Sequence, residues 1–409
     1  MRNKKTALTD KRYALPFILI TVLFFLIGFS RAILDVLNKH FQNTLCISIT
    51  RSSLIQVMTF LGYFLLAIPA GKFINRYGYR RGVIFGLILF GVGAFLFVPS
   101  ALNGSFYAFL LCLFIIGCGL VFLETASNPY ATELGPKETS ASRLVLSQSF
   151  NGLGSMMATL CVGQFLFRGY EEGHHIWIPY AILGVIVLII AVIFSRVSLP
   201  EIKYETTDEE KGHPYKCLFQ EHHIFLFGLL ALLAYEFAEI SINSYFINFT
   251  TGMDWMTDRT ASLVLTGALA LFMVGRFFGS WIMRLMSAEK WLLICATITV
   301  LDMIFILTLC KIGKLSLLFL IINYFFEAIM FPTIFSIVLK KLGGLTKTAS
   351  SLLMMTPIGG CGFLLVGLLA DRTHVVLPFI IPLIGFVIVW FYAFTVFQRS
   401  KQNDKKKSK

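Results

Sequence analysis

Long apolar runs, each close to the length that crosses a bilayer as a helix, alternate with short polar breaks along nearly the whole chain. A spanning α-helix needs roughly 20 mainly apolar residues. Twelve such stretches can be marked, near 13–38, 53–74, 82–100, 105–131, 143–167, 176–197, 223–249, 260–285, 290–310, 315–339, 348–370 and 375–397. The breaks carry turn chemistry or charge: Pro99-Ser100 with Asn103-Gly104, Gly135-Pro136, Glu171-Glu172-Gly173 and Gly343-Gly344. One longer hydrophilic segment, Arg196 to Glu221, mixes both signs of charge and splits the spans six and six. The pattern predicts an all-α membrane protein of twelve transmembrane helices. It divides into a first six-helix half (1–197), a linker (198–221), a second six-helix half (222–398) and a basic tail (399–409). A weak repeat supports the division: Gly71-Lys72-Phe73-Ile74-Asn75-Arg76 after span two echoes Gly279-Ser280-Trp281-Ile282-Met283-Arg284 after span eight. Two such halves around a site at mid-membrane are a recurrent plan for carriers.

Composition agrees. Of 409 residues 57% are hydrophobic and 14% charged, against about 25% charged in soluble domains. Lipid must therefore cover much of the surface. The net charge of +13 does not point to nucleic acid, because Lys and Arg cluster between apolar runs. Only seven of the 35 Lys and Arg fall in the loops on one side, and that bias places both termini in the cytoplasm. The basic start, MRNKKTALTDKR, runs into a first span with no small-residue cleavage site behind it. The seven histidines, His174, His175, His222 and His223 among them, show no metal-ligand spacing, and the eight cysteines include no CxxC pair. No metal or cofactor is expected. Neither an HExxH nor a GxSxG motif is present, so an enzyme is not expected either.

Ionisable groups at bilayer depth cost about 2.5–3.5 kcal/mol on insertion scales, so each needs a partner, a wet cavity or a function. Span one carries Arg31, Asp35 and Asn38. Arg31 and Asp35, four apart on one helical face, either neutralise each other or place Asp35 in a cavity as a carboxyl that gains and loses a proton. Span four carries Glu124 and Asn128 ahead of Pro129, with no cation in the same span. Span five carries Gln148 and Asn151. Carboxyl and amide groups on neighbouring helices suit a polyhydroxylated ligand, because hydroxyls both donate and accept; the alternative is hydrogen bonding between helices. Span seven has Glu236, Glu239 and Asn243 at spacings of three and four, and span ten has Asn323 and Glu327. Of these, Glu239, Asn243, Asn323 and Glu327 are substrate candidates. Arg276 in span eight joins Arg31 as a candidate for charge pairing or gating.

Several stretches resemble the major facilitator superfamily, and within it the fucose–proton symporter family with its related glucose and galactose permeases. Gly71-Lys72-Phe73-Ile74-Asn75-Arg76-Tyr77-Gly78-Tyr79-Arg80-Arg81 is similar to the superfamily's loop motif between spans two and three, with Asn75 where the motif has Asp. Leu123 to Pro129, Ser147 to Gly154, Ala238 to Ser244, Ile329 to Ser336, Ser350 to Met355 and Gly367 to Arg372 are similar to the symporter family's spans four, five, seven, ten and eleven. The resemblance implies a proton-coupled sugar carrier working by alternating access. It implies that Asp35 takes up the coupling proton, that Glu124 is tied to proton and sugar, and that Gln148 and Asn151 line the sugar site; Asn38 and Asn128, as amides within spans one and four, are further substrate candidates. Arg76 and Arg80 belong to the loop whose charge network holds the cytoplasmic gate. The expected partners are a small sugar, a proton and the lipid bilayer of the cell's inner membrane, with the chain acting as a monomer. A sodium-coupled carrier, a carrier of acidic or amino sugars, and a sugar sensor that does not transport are the competing readings.

Overall fold

The computed structural model describes residues 9, 11–102, 104–135, 140–167, 177–197, 217–219, 223–283, 285–309, 314–340, 342 and 345–407. The linker 198–221 apart from 217–219, the breaks at Asn103, Pro136, Glu171 to Gly173 and Gly343-Gly344, and Arg284, Cys310, His174, His175 and His222 lie outside the described residues.

The first half contains α1 Ala14–Leu45, α2 Leu54–Tyr77, α3 Tyr79–Leu102, α4 Phe106–Glu133, α5 Ser140–Leu166 and α6 Trp177–Arg196. The second contains α7 His223–Gly252, α8 Asp258–Ile282, α9 Ala288–Leu309, α10 Leu315–Glu327, α11 Met330–Leu339, α12 Thr346–Leu353, α13 Phe363–Ala370 and α14 Ile380–Lys407. Helices α10 and α11 form one broken crossing. Another is built from α12, a 3₁₀ turn at Thr356–Gly362 and α13. Eleven of the twelve predicted crossings are long and apolar enough to span a bilayer. The twelfth, α5, has 27 residues but is diluted by Ser147, Gln148, Ser149, Asn151, Ser155 and Thr159. It lies between α1 and α8, and Ser147, Ser149 and Thr159 are buried there. Its polar face therefore meets protein, where backbone and side chains can satisfy it.

Small residues set the closest helix approaches, as membrane packing favours. A Cβ on Gly28 of α1 would lie 2.0 Å from the Asn151 carbonyl oxygen of α5, and one on Gly154 would lie 2.1 Å from that of Phe25. Helix α2 joins α3 through Gly78 alone, at φ 86°, a backbone geometry that glycine adopts without penalty. Helix α1 runs past its predicted end at residue 38 to Leu45. It does so because Asn38 and Gln42 find partners on the next segment: the Asn38 amide donates to Gln56 Oε1 at 3.0 Å and that of Gln42 to Ser52 Oγ at 2.9 Å.

The halves meet along α5 with α8, along α2 with the 3₁₀ turn and α12, and where α1 passes α7. At the Leu45 end, Asp371 of the second half accepts from the backbone N–H of Ile49 at 3.1 Å and of Thr50 at 2.9 Å in the first. Asp258 accepts from Asn43 at 2.6 Å and lies 3.8 Å from Lys39, and Arg259 donates to Gln164 at 2.7 Å. At the Gly78 end, Ser351 packs against Gly71, and the Asn128 amide reaches Met354 Sδ at 3.5 Å. The two halves are thus in contact at both ends.

The Asp371 tie has a definite pH sign. Partial burial pushes its carboxyl up, but hydrogen bonds from Thr50, Ile49 and Ser48 outweigh that and hold it below the ordinary carboxylate value. A lowered carboxyl contributes stability above its ordinary value, about pH 3.9, and loses it as pH falls through the lowered one. With spin labels on Thr44 and Thr373, the distance across this end is therefore expected to stay constant down to about pH 4 and to widen below it. In Asp371→Asn the distance should start wider and lose most of this response. A wild-type transition centred above about pH 4, or one retained in the variant, would count against the tie.

Candidate functional site

Between the halves lies a cavity of about 60 Å³, room for roughly four to six waters at 10–15 Å³ each. Its polar lining comes from both halves. Arg31, Asp35, Gln56, Glu124, Gln148, Asn151 and Ser155 come from the first, and Glu236, Glu239, Asn243 and Arg276 from the second. Phe24, Phe60, Phe272 and Phe331 supply aromatic faces.

Helical spacing makes this convergence possible. Arg31 and Asp35 are one turn apart on α1, and Glu236, Glu239 and Asn243 share a face of α7. Arg31 reaches across the halves: its Nη2 donates to Glu236 Oε2 at 2.8 Å, while Nη1 stands 3.8 Å from Glu124 Oε1 in its own half. The guanidinium also lies over the Phe60 ring at 5.6 Å from the centroid. Both carboxylates are nearly enclosed, with side-chain exposures of 1% for Glu236 and 6% for Glu124, against 21% for Arg31. The Tyr63 hydroxyl donates to Glu124 Oε1 at 2.9 Å, so Glu124 has one hydrogen-bond donor besides the guanidinium at ion-pair distance.

Asp35 is not the partner of Arg31; among the described residues no ion pair joins them. Its Oδ1 accepts the Ser244 hydroxyl of α7 at 2.7 Å, and the Gln56 amide donates to the same Ser244 at 2.9 Å. The chain Asp35–Ser244–Gln56–Asn38 thus passes from the first half to the second and back. On the far wall Arg276 points its Nη1 at the Gln148 carbonyl at 2.5 Å, at Gln148 Oε1 at 3.3 Å and at Asn151 Oδ1 at 3.5 Å. Its Nε donates to the Ala328 carbonyl at 3.2 Å, which the break between α10 and α11 exposes. Phe272 stacks under this guanidinium at 4.5 Å.

Residues 20–357 match the sequence profile of the Major Facilitator Superfamily. The chain belongs to that superfamily. Similar proteins include a glucose/galactose transporter of Brucella abortus (strain 9-941), 33% identical over 94% of each chain. They also include the L-fucose-proton symporter of Escherichia coli K12, 31% identical over 95% of this chain and 94% of that one. Among solved structures, the superfamily transporter FucP in its outward conformation superposes with a TM-score of 0.77 at 30% identity, over 94% of this chain and 99% of that one. The proton:xylose symporter XylE superposes at 0.76, over 93% of this chain and 94% of that one. At 14% identity it shows the shared fold alone.

Within this facilitator fold, eight of the candidates read from sequence share the cavity: Arg31, Asp35, Glu124, Gln148, Asn151, Glu239, Asn243 and Arg276. Six do not line it. Asn38 is fully buried between Ser52 and Gln56. Asn128 is locked by the Glu124 carbonyl, Gln148 and Met354. Asn323 and Glu327 bond each other at 2.7 Å, both fully buried. Arg76 lies over the Tyr77 ring at the Gly78 end. Arg80 there donates to the Phe194 carbonyl at 3.0 Å and to that of Ser195, covering the last carbonyls of α6.

Glu236, Tyr63, Gln56, Ser155 and Ser244 are additions that sequence reasoning did not single out for the site. Glu236 carried the signal, a carboxyl in mid-span on the face of Glu239 and Asn243. Gln56 and Tyr63 repeat at helical spacing on one face of α2.

The doubled partnership of Arg31 makes its two sides unequal. Removing one partner of a buried ion pair costs about 3–5 kcal/mol. Arg31→Gln strands two carboxylates and is expected to cost that much in thermal unfolding of the detergent-purified protein. Glu236→Gln should cost less, because Glu124 remains within reach of Arg31. Equal losses for the two variants would show that Glu124 does not substitute.

Proposed function

We propose that this protein is a secondary active transporter that carries a hexose or a closely related sugar together with a proton by alternating access. The observation that carries this is that the Arg31–Glu236 ion pair, the Asp35–Ser244 hydrogen bond and the Arg276–Gln148 hydrogen bond of the cavity all cross the boundary between the two halves. The names of its relatives, a glucose/galactose transporter and an L-fucose-proton symporter, supply the cargo class.

The mechanism follows from what separation of the halves does to each pair. The halves are in contact at both ends, so for loading one end parts while the other stays closed. Widening pulls Glu236 away from Arg31. Glu124, on the same half as Arg31, then takes the guanidinium, and no bare charge is left in a low-dielectric interior. Asp35 loses the Ser244 hydroxyl in the same movement, and a proton taken up by Asp35 replaces that lost donor. Sugar hydroxyls can accept from the amides of Gln148 and Asn151 and donate to Glu239. The aromatic rings offer apolar faces to the ring C–H groups. Closure around the sugar restores the Arg31–Glu236 pair and buries a neutral Asp35, which is far cheaper than burying its anion. Opening at the opposite end releases both.

The Lys and Arg bias supports a cell-membrane, inner-membrane placement with both termini cytoplasmic, the Gly78 end facing the cytoplasm and the Leu45 end facing outward. Each chain encloses its own cavity, so transport by a monomer is sufficient.

The deciding experiment is uptake by proteoliposomes of D-glucose, D-galactose, L-fucose, amino sugars and uronates, each with and without an inward proton gradient. Uphill accumulation of at least one sugar is expected only with the gradient. Asp35→Asn should lose that accumulation and keep part of the downhill exchange. Wild-type accumulation by Asp35→Asn would remove Asp35 from coupling, and accumulation driven by sodium without pH dependence would replace the proton.

A further inference from the structure

Behind the cavity wall, α7, α9 and α10 enclose polar groups that the mechanism above does not use. Glu327 is completely buried and does not line the cavity. Its Oε2 accepts the Asn323 amide at 2.7 Å. Among the described residues its Oε1 has no partner, and neither have Asn323 Oδ1, the Tyr324 hydroxyl or Asp302 Oδ2 around it, while the Tyr235 hydroxyl stands beside Glu239. Asn323, Tyr324 and Tyr235 are fully buried, and Asp302 is 4% exposed.

The charges facing this pocket are one-sided. From α7 come Glu239 and Tyr235, from α9 Asp302, from α10 itself Tyr324, and Asp35 of α1 stands within electrostatic reach of Tyr324. Arg276 of α8 acts electrostatically on Tyr235. Its hydrogen bonds, however, go to Ala328, Gln148 and Asn151, and no ion pair to Glu327 is formed among the described residues. An ionised Glu327 would thus be an anion among acids, dehydrated and with one oxygen undonated, at a cost of several kcal/mol. As a carboxylic acid it is neutral, and its O–H adds a donor to a group rich in idle acceptors.

Resting on the symport reading, we propose that Glu327, with Asp302 beside it, is a second proton-binding site, in the second half of the protein, filled and emptied once per transport cycle. A proton from cavity water adds to the Glu239 carboxylate and, once helix movement brings the two carboxyls into hydrogen-bond contact, passes to Oε1 of Glu327, leaving by the same route when the cavity faces the other side. Only O–H bonds form and break, and the Glu239 carboxylate is regenerated at each pass. Two protons, one at Asp35 and one at Glu327, then accompany each sugar.

The test is the proton-to-sugar ratio of the full chain in proteoliposomes. It is read as the membrane potential that just halts net flux of D-glucose, D-galactose or L-fucose at a set sugar gradient and pH difference. The wild type should couple two protons per sugar, and the turnovers that remain in Glu327→Gln should couple one. A wild-type ratio of one, or an unchanged ratio in Glu327→Gln, overturns the proposal. Asp302→Asn, which keeps Glu327, should retain two; a fall to one there with Glu327→Gln unaffected would also overturn it. Direct proton titration of detergent-purified wild type against Glu327→Gln reads the site without any sugar: one exchangeable proton fewer is expected in the variant, and no difference refutes the site. Should the wild type exchange none of these sugars, the symport reading fails and this titration still decides whether Glu327 binds a proton. If Glu327→Gln does not fold, Glu327→Asp serves in its place, with retention of the second proton expected and its loss counting against the carboxyl.

Discussion

The pairing of Arg31 with acids on both sides of a moving boundary is the constraint around which the rest of the structure is arranged. A lone guanidinium at this depth would be expensive, and so would any of the carboxylates. Placed together they are tolerable, but only in certain combinations. With Glu236 at 2.8 Å and Glu124 at 3.8 Å, Arg31 can change its principal partner without passing through an uncompensated state. A pair confined to one half would stabilise that half and be indifferent to conformation. A pair across the boundary alone would lock the halves together. The three-membered arrangement allows closure to be favoured and reversible at once.

The same logic assigns different work to Asp35. Among the described residues it forms no ion pair, and it is held by a hydroxyl that itself depends on Gln56. Moving α7 removes Ser244 from Asp35, so its hydrogen-bonding state is tied to the separation of the halves. A side chain whose only close partner departs with a domain movement is well placed to exchange a proton with that movement. The neighbouring Asn38–Ser52–Gln56 set is fully satisfied and buried. It fixes the end of α1 and so holds Asp35 at a constant depth.

Much of this was legible in the sequence, and the parts that were not share a cause. Periodic apolar runs located the crossings, because apolarity over roughly twenty residues is a local property of the chain. Mid-span polar residues marked the cavity for the same reason: each is anomalous where it stands. Which of them pair was not legible. Arg31 and Asp35 are one turn apart and suggested each other, yet Arg31 chose Glu236, 205 positions away, because α7 crosses α1 at that depth. Local spacing sees i and i+4; it cannot see a helix from the other half. Asn38 and Asn128 misled for a related reason. An amide in a span signals that a polar partner exists without saying whether that partner is ligand or protein, and here it is protein. Helix α5 shows the converse, since its weak apolarity reflects burial between α1 and α8 and not an absence from the membrane.

An asymmetry between the halves extends the argument. In the first half the buried polar side chains are largely bonded to one another: Asn38 with Gln56, Tyr63 with Glu124, Asn128 with Gln148. Among the described residues, fourteen buried polar side-chain atoms have no partner, and of these those of Thr125 and Tyr180 belong to the first half while the others, Asn243 and Glu327 included, belong to the second. Leaving such an atom unsatisfied costs about 1–3 kcal/mol, so a half that carries many of them is poised to gain from any change that supplies donors or acceptors. The first half behaves as a pre-set frame that fixes Asp35 and Glu124. The second holds its hydrogen-bonding capacity in reserve, and the break between α10 and α11, beside Asn323 and Glu327, is where its helices are least continuous. Ligand and proton therefore have most to contribute to the half that is least satisfied without them.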